Sequence, residues 1–128
     1  MILDSSAIVA LVFQEPGWEV LADKLTRATW AGIGAPTLVE TSIVVSARLK
    51  ADARGLLARF LQTAGVEVVP FGDEHAEAAI DAWLRFGKGR HPAALNLGDC
   101  HAYATARLAG VPLLCTGDDF AKTDLALA

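Results

Sequence analysis

Four short apolar runs, Met1–Leu3, Ala31–Gly34, Val66–Pro70 and Pro112–Thr116, are each separated from the next by one or two stretches with helical spacing. Such alternation predicts a parallel sheet reached by right-handed crossovers. Helices would cover both of its faces, and ligands would bind outside the carboxyl ends of its strands. The first run leads into an apolar segment, Ser5 to Phe13, which Pro16-Gly17 parts from a second helix over Trp18 to Ala28. That second helix places Trp18, Leu21, Ala22 and Leu25 on one side. Pro36 opens a helix to about Lys50, and Asp52 is placed to cap another that ends near Gly65. Val66 to Pro70 is expected to be a buried strand. Asp73 is read as the N-cap of a helix to Phe86, Asn96 as the N-cap of a helix to Ala109, and Gly110 as that helix's stop. No repeat, low-complexity tract or linker divides the chain, and 128 residues suffice for one core without disulfides or structural metals. The expectation is an α/β fold forming a single domain over residues 1–128.

Acids stand at the edges of this apolar framework. Asp4 follows the first predicted strand and Asp118-Asp119 the last, while Glu40 and Asp99 lie within helical patterns. Glu40 is the only charged residue between Pro36 and Ala47, where its neighbours include Leu38, Val39, Ile43, Val44 and Val45. A solvated helix face normally carries several charges, so this carboxylate is read as pointing into a polar pocket. Each acid also has an ordinary reading. Asp4 could cap the next helix, Glu40 and Asp99 could answer a helix dipole, and Asp118-Asp119 could be turn residues. It is their recurrence at one end of the alternating pattern that favours a shared site. Two like charges about 4 Å apart repel by roughly 4 kcal/mol at an effective dielectric near 20. A divalent cation converts that repulsion into attraction.

The hydrophobic fraction is 53% and the mean hydropathy +0.38, yet no apolar run approaches the ~18 uncharged residues of a membrane span. The start of the chain carries Asp4 in place of a basic region, and no cleavage site follows a long apolar core. A cytoplasmic protein is therefore expected. Cys100 and Cys115 are unclustered and sit among apolar residues, as free core thiols do. The net charge of −4 argues against a general nucleic-acid binder. Part of that surplus, however, is the acid set itself. Lys88, Arg90 and His91 form a local basic stretch between Gly87, Gly89 and Pro92, and Lys122 follows the last acids. Trp18, Trp30 and Trp83 are dispersed and are read as core or interface, and His75 and His101 as structural.

Five strings, in order along nearly the whole chain, resemble the PIN-domain ribonucleases and, among them, the VapC toxins of bacterial type II toxin–antitoxin pairs. They are Met1-Ile2-Leu3-Asp4-Ser5-Ser6-Ala7, Thr37-Leu38-Val39-Glu40-Thr41-Ser42, Phe86-Gly87-Lys88-Gly89-Arg90-His91-Pro92, Asn96-Leu97-Gly98-Asp99-Cys100 and Gly117-Asp118-Asp119-Phe120. The resemblance implies a PIN-like three-layer α/β/α fold with a central parallel sheet. It also implies a Mg²⁺- or Mn²⁺-dependent endoribonuclease acting on single-stranded or looped RNA, with Asp4, Glu40 and Asp99 at the metal site. The fourth acid is Asp118, placed first because it follows the strand end at Thr116-Gly117, with Asp119 as the substitute. Ser6 and Thr116 match supporting positions, although capping and strand-end hydrogen bonds account for them equally well. Lys88, Arg90, His91 and Lys122 are the candidate RNA contacts. The partners implied are a VapB-like antitoxin and a second copy of the chain. The apolar helices between Ser5 and Ala64, which exceed what one small sheet covers, agree with such partners.

Hard carboxylate oxygens that hold Mg²⁺ and leave positions for water and a phosphate oxygen suit phosphodiester hydrolysis without a covalent nucleophile. Asp4 and Asp99 are the preferred direct ligands, with Glu40 orienting a water. Two other classes compete. A receiver- or phosphatase-type phosphoryl-transfer protein would carry an acid pair after its first strand, which Asp4-Ser5-Ser6 lacks. A catalytically silent protein- or RNA-binding module would keep the fold but not cut, and metal-dependent cleavage separates it.

Overall fold

The computed structural model describes residues 1–128. Four parallel strands, β1 (Ile2–Leu3), β2 (Ala31–Gly34), β3 (Val66–Val69) and β4 (Leu113–Leu114), pair in the order β3-β2-β1-β4. The chain therefore starts in the middle of the sheet, winds outward through β2 and β3, and returns to the other side of β1. The sheet's switch point lies between β1 and β4, where a parallel sheet opens a crevice at its carboxyl edge. Asp4 stands at that point, its amide donating to the Leu114 carbonyl at 2.9 Å.

Two-residue periodicity along the strands separates two cores. Ile2 and Leu113 face one way and pack with Ala79, Ala82 and Phe86 of α5 (Asp73–Phe86) and with Ala102, Tyr103 and Ala106 of α6 (Leu97–Ala109). Leu3, Ile33 and Leu114 face the other way. They pack with Ala7, Ile8 and Ala10 of α1 (Ser5–Phe13), Leu21 of α2 (Trp18–Arg27), Val45 of α3 (Ala35–Leu49), and Leu57 and Leu61 of α4 (Arg54–Ala64). Each cluster holds 13 buried residues, so both faces are covered and the architecture has three layers, as expected for an α/β fold. Gly34 allows β2 to approach α6 closely, since a Cβ there would lie 2.5 Å from Thr105 Oγ1.

Local chemistry sets the helix ends. Asp4 caps α1 by accepting from the Ser6 amide, and Gly110, with φ of +67°, stops α6 as expected. Three details depart from the sequence reading. Asp52 stands one residue before Ala53, which takes the cap position of α4, and its Oδ1 accepts from the Arg54 amide at 3.0 Å. Asp73 is the first helical residue of α5, not its cap. Gly72 is extended and takes that place, its amide donating to His75 Nδ1 at 3.2 Å, while the Asp73 carboxylate is left to meet the helix dipole. The strand Val66–Val69 is not buried along its length, because it lies at the sheet's edge with Glu67 and Val68 exposed. The outer side of β4 is covered by the C-terminal tail, through Leu113 N–H to Ala126 O and Ala128 N–H to Leu113 O, both 2.9 Å. No helix is long and apolar enough to cross a membrane.

Candidate active site

Asp4 leaves β1 almost completely buried, at 5% exposure. Its Oδ2 accepts from the Ser6 amide at 3.0 Å and from Ser6 Oγ at 2.5 Å, and Ser6 Oγ in turn accepts from the Thr116 amide at 3.1 Å. One hydroxyl thus ties the carboxylate to the exit of β4. Thr116 takes part through its backbone, and its side chain is exposed in the turn. Burial lifts the Asp4 pKa, the Ser6 hydrogen bonds pull it down, and the negative charge of Glu40 pushes it up again.

Glu40 projects from the second turn of α3 and accepts from Ser5 Oγ at 2.8 Å. It reaches the first turn of α6, where a Cβ on Gly98 would stand only 1.8 Å from Glu40 Oε2. Gly98 is therefore a cradle for this carboxylate. Three residues before Glu40, the buried Thr37 Oγ1 has no hydrogen-bond partner, while the Thr37 carbonyl accepts from Thr41 Oγ1.

Asp99 occupies the third position of α6 in a reciprocal cap. Its amide donates to Asn96 Oδ1 and its Oδ2 accepts from the Asn96 amide, each at 2.9 Å. A free choice of rotamer is thereby removed. Burial pushes its carboxyl up to about 6; the Asn96 amide opposes this, and the charges of Asp4, Glu40 and Asp119 add to it. The fold thus brings Asp4, Glu40, Asp99 and Asp119 into one electrostatic group at the carboxyl edge of the sheet. Of the adjacent pair, Asp119 is the one whose charge acts on Asp99. Both members are exposed, and Asp119 also lies 3.8 Å from Lys122 Nζ. The thiols of Cys100 and Cys115 are each pushed up to about 11, first by burial and then by these same acids, so both are poor nucleophiles.

The basic loop folds back on itself through pairing of Gly87 with Leu95. The Arg90 guanidinium lies over the Trp83 ring at 4.9 Å, with Nε donating to the Leu84 carbonyl at 3.1 Å. His91 accepts from the Ala93 amide through Nδ1 and packs edge-on against Phe86. Arg90 and His91 are therefore already employed in building the loop, whereas Lys88 is exposed. His75 and His101 flank Phe71 at 5.0 and 5.2 Å between ring centroids.

The donors are all hard oxygens, and Asp4, Glu40 and Asp99 have no cationic side chain paired with them, which fits a hard divalent cation. No three acidic, histidine or cysteine side chains close into a finished cage. Ser5 and Gly98 were not assigned roles from sequence, although both lie inside the strings that carry Asp4 and Asp99. Their partner, Glu40, is 35 residues from one and 58 from the other, and only the fold joins them.

The family model described as PIN domain matches residues 1–125. The chain belongs to the PIN domain family. Within it, the chain is 48% identical over 126 residues to ribonuclease VapC36 of Mycobacterium tuberculosis, spanning 98% of this chain and 91% of that one. This places the PIN domain among the VapC ribonucleases. Its fold superposes on the sarcin–ricin loop cleaving toxin VapC20 of Mycobacterium tuberculosis with a TM-score of 0.78 at 18% identity, covering 99% of this chain and 97% of the other. A toxin–antitoxin complex from Klebsiella pneumoniae contains a chain that matches with a TM-score of 0.72 at 18% identity, covering 99% and 95%.

Proposed function

We propose that this chain is the toxin of a type II toxin–antitoxin pair: a Mg²⁺- or Mn²⁺-dependent endoribonuclease that acts in the cytoplasm and is held inactive by a VapB-like antitoxin. The observation that carries this reading is the set of carboxylates held in place at the carboxyl edge of the sheet, Asp4 by Ser6, Glu40 by Ser5 and Asp99 by Asn96, in a chain 48% identical to a ribonuclease. Asp4 and Asp99 would hold the cation, and Asp119, in preference to Asp118, would supply the fourth charge. When bound, the ion lowers the pKa of a water and offsets charge on the scissile phosphate.

The chain's own residues do the rest. The cap at Asn96 and the Ser6 hydroxyl fix the two ligands before substrate arrives, so no reorganisation is needed at the moment of reaction. Ser5 holds Glu40 through one carboxylate oxygen, and the other is available to orient the attacking water and take its proton. Exposed Lys88 and the outer edge of Arg90 meet the RNA backbone, His91 shapes their loop, and Lys122 steadies Asp119.

Two surfaces match the partners. The antitoxin lies across two neighbouring hollows that share Phe60 and Thr63, one lined by Val12, Leu56 and Arg59 and the other by Leu11, Trp18 and Leu25. A second copy docks on Val39, Ile43 and Leu97, which are 60%, 64% and 74% exposed. The test is cleavage of a structured RNA pool by wild type and Asp99→Asn, each with Mg²⁺, Mn²⁺ and EDTA. Cutting by wild type alone and only with metal supports the reading. Cutting that survives EDTA or the substitution refutes it, and a wild type inert under every condition favours a silent module.

A further inference from the structure

Asp119 presents a mechanical problem. It is exposed, it lies outside the sheet, and its one ion pair is with exposed Lys122 at 3.8 Å, so its place beside the other acids depends on how firmly the backbone on either side is held. On its N-terminal side the loop is tied only by the Thr116 amide to Ser6 Oγ, and it then passes through Gly117, whose φ is +78°. On its C-terminal side the restraint is much stronger. Phe120 is 3% exposed and packs in the core with Tyr103, and Thr123 Oγ1 closes the following turn by donating to the Phe120 carbonyl at 2.7 Å.

One residue further on is Asp124, and both of its oxygens are engaged. Oδ1 accepts from the buried Tyr103 hydroxyl at 2.7 Å, and Oδ2 accepts from Arg85 Nη2 at 2.9 Å and Arg107 Nη1 at 3.0 Å. Burial pushes this carboxyl up, but the hydrogen bonds from Tyr103 and Arg85 and the charges of both arginines outweigh it, so it stays ionised below the usual carboxylate range. Asp99, Tyr103 and Arg107 are spaced four apart on α6 and so share one flank of that helix. The flank meets the tail at two places, electrostatically at Asp119 and by hydrogen bonds at Asp124. Helix α6 thus carries one acid of the site and also grips the segment that delivers another.

We propose that Asp124, clasped by Tyr103, Arg85 and Arg107, is a positioning residue that anchors the C-terminal end of the turn carrying Asp119 and so sets where Asp119 stands. This rests on the metal-site reading above and adds a residue that touches neither metal nor substrate. It acts only through Asp119, so its removal is redundant once Asp119 is gone, which a general stabilising role would not be.

The experiment is Mn²⁺ binding measured by calorimetry without RNA, on wild type, Asp124→Ala, Asp119→Asn and the double variant, with thermal melts of the same samples. Asp124→Ala is expected to weaken Mn²⁺ about five- to tenfold, as Asp119→Asn does, and to add less than twofold in the Asp119→Asn background. In cleavage, Asp124→Ala should raise the Mn²⁺ concentration for half activity by the same factor while leaving the rate at saturating Mn²⁺ within about twofold. Asp124→Glu, which keeps a carboxylate for the same donors, is expected to recover most of the affinity. Should Asp124→Ala fail to fold, Tyr103→Phe removes one donor at nearly constant shape and is expected to weaken Mn²⁺ two- to threefold. Unchanged affinity in the Asp124 variant or in Tyr103→Phe overturns the proposal, as does a full additional loss in the double variant. A wild type that neither binds Mn²⁺ nor cuts RNA would remove the metal-site reading as well, whereas a failure confined to the variants leaves that reading intact.

Discussion

Replacing Asp99 by asparagine should make the metal-free protein more stable while abolishing its activity. A carboxyl raised from 3.8 to about 6 in the folded state carries a penalty of about 3 kcal/mol at neutral pH if the whole shift is retained. The side chain is only partly buried, and solvent screening reduces this to about 1–2 kcal/mol. Asparagine keeps an acceptor for the Asn96 amide but loses the attraction of a carboxylate to the N-terminus of α6, which costs about 0.3–1 kcal/mol. A net gain of about 1 kcal/mol remains, or about 3–5 °C in Tm. The sign follows from proton binding. The folded pKa is the higher one, so the wild-type penalty is full above about pH 6, shrinks as pH falls from 6 to the unfolded value near 3.8, and vanishes below it. Thermal melts in EDTA at pH 7.5 and 4.0 should therefore show Asp99→Asn ahead at the first pH and level at the second. Excess Mn²⁺ should reverse the order, since a ligand at 100 times its Kd adds about 2.7 kcal/mol to the wild type alone. A variant less stable than wild type in EDTA at pH 7.5, or an advantage independent of pH, would refute the view that Asp99 sits among unrelieved negative charges.

Gly98→Ala places a Cβ 1.8 Å from Glu40 Oε2, so cleavage should fall at least tenfold although alanine is the better helix former by about 1 kcal/mol. The double variant Gly98→Ala/Glu40→Asp, whose shorter acid makes room, should regain part of the rate. Ser6→Ala removes both a donor to Asp4 and the acceptor of the Thr116 amide, and denaturant titration should find it about 1–3 kcal/mol less stable. With Asp99 near 6 and metal needing the ionised form, cleavage at subsaturating Mg²⁺ should rise through pH 6 and level off above about 7. The midpoint should move to lower pH as Mg²⁺ saturates.

Much of the fold was legible because its signals are local. The punctuation at Pro16-Gly17, Pro36, Asn96 and Gly110 brackets helices that the structure reproduces to within a residue or two, and alternation with apolar runs implied the parallel sheet. Strand order is not legible in the sequence, so the run Val66–Pro70 reads as a buried strand, whereas β3 (Val66–Val69) is an edge. Gly72 displaced Asp73 as a cap because glycine takes the extended backbone there without a side chain of its own to advertise it. The acids stand out in the sequence by their unusual surroundings, Glu40 above all, and the fold brings Asp4, Glu40 and Asp99 to the carboxyl edge of the sheet. What supports them is not legible there, because Ser5 with Glu40, Glu40 with Gly98 and Tyr103 with Asp124 are pairs made only by tertiary contact. The same limit applies to Arg90 and His91, which look like free cationic and stacking groups in the string Lys88 to Pro92 but pack on Trp83 and Phe86.

The most direct test of the central claim is to cut an RNA bearing a single phosphorothioate at its scissile phosphate, with Mg²⁺ and then with Mn²⁺. A cation held by Asp4 and Asp99 against that phosphate requires one of the two diastereomers to be cut at least tenfold more slowly in Mg²⁺, which binds sulfur poorly, and to recover in Mn²⁺, which is softer. Equal cutting of both diastereomers in Mg²⁺, or a slow diastereomer that Mn²⁺ does not rescue, would contradict a metal at the scissile phosphate.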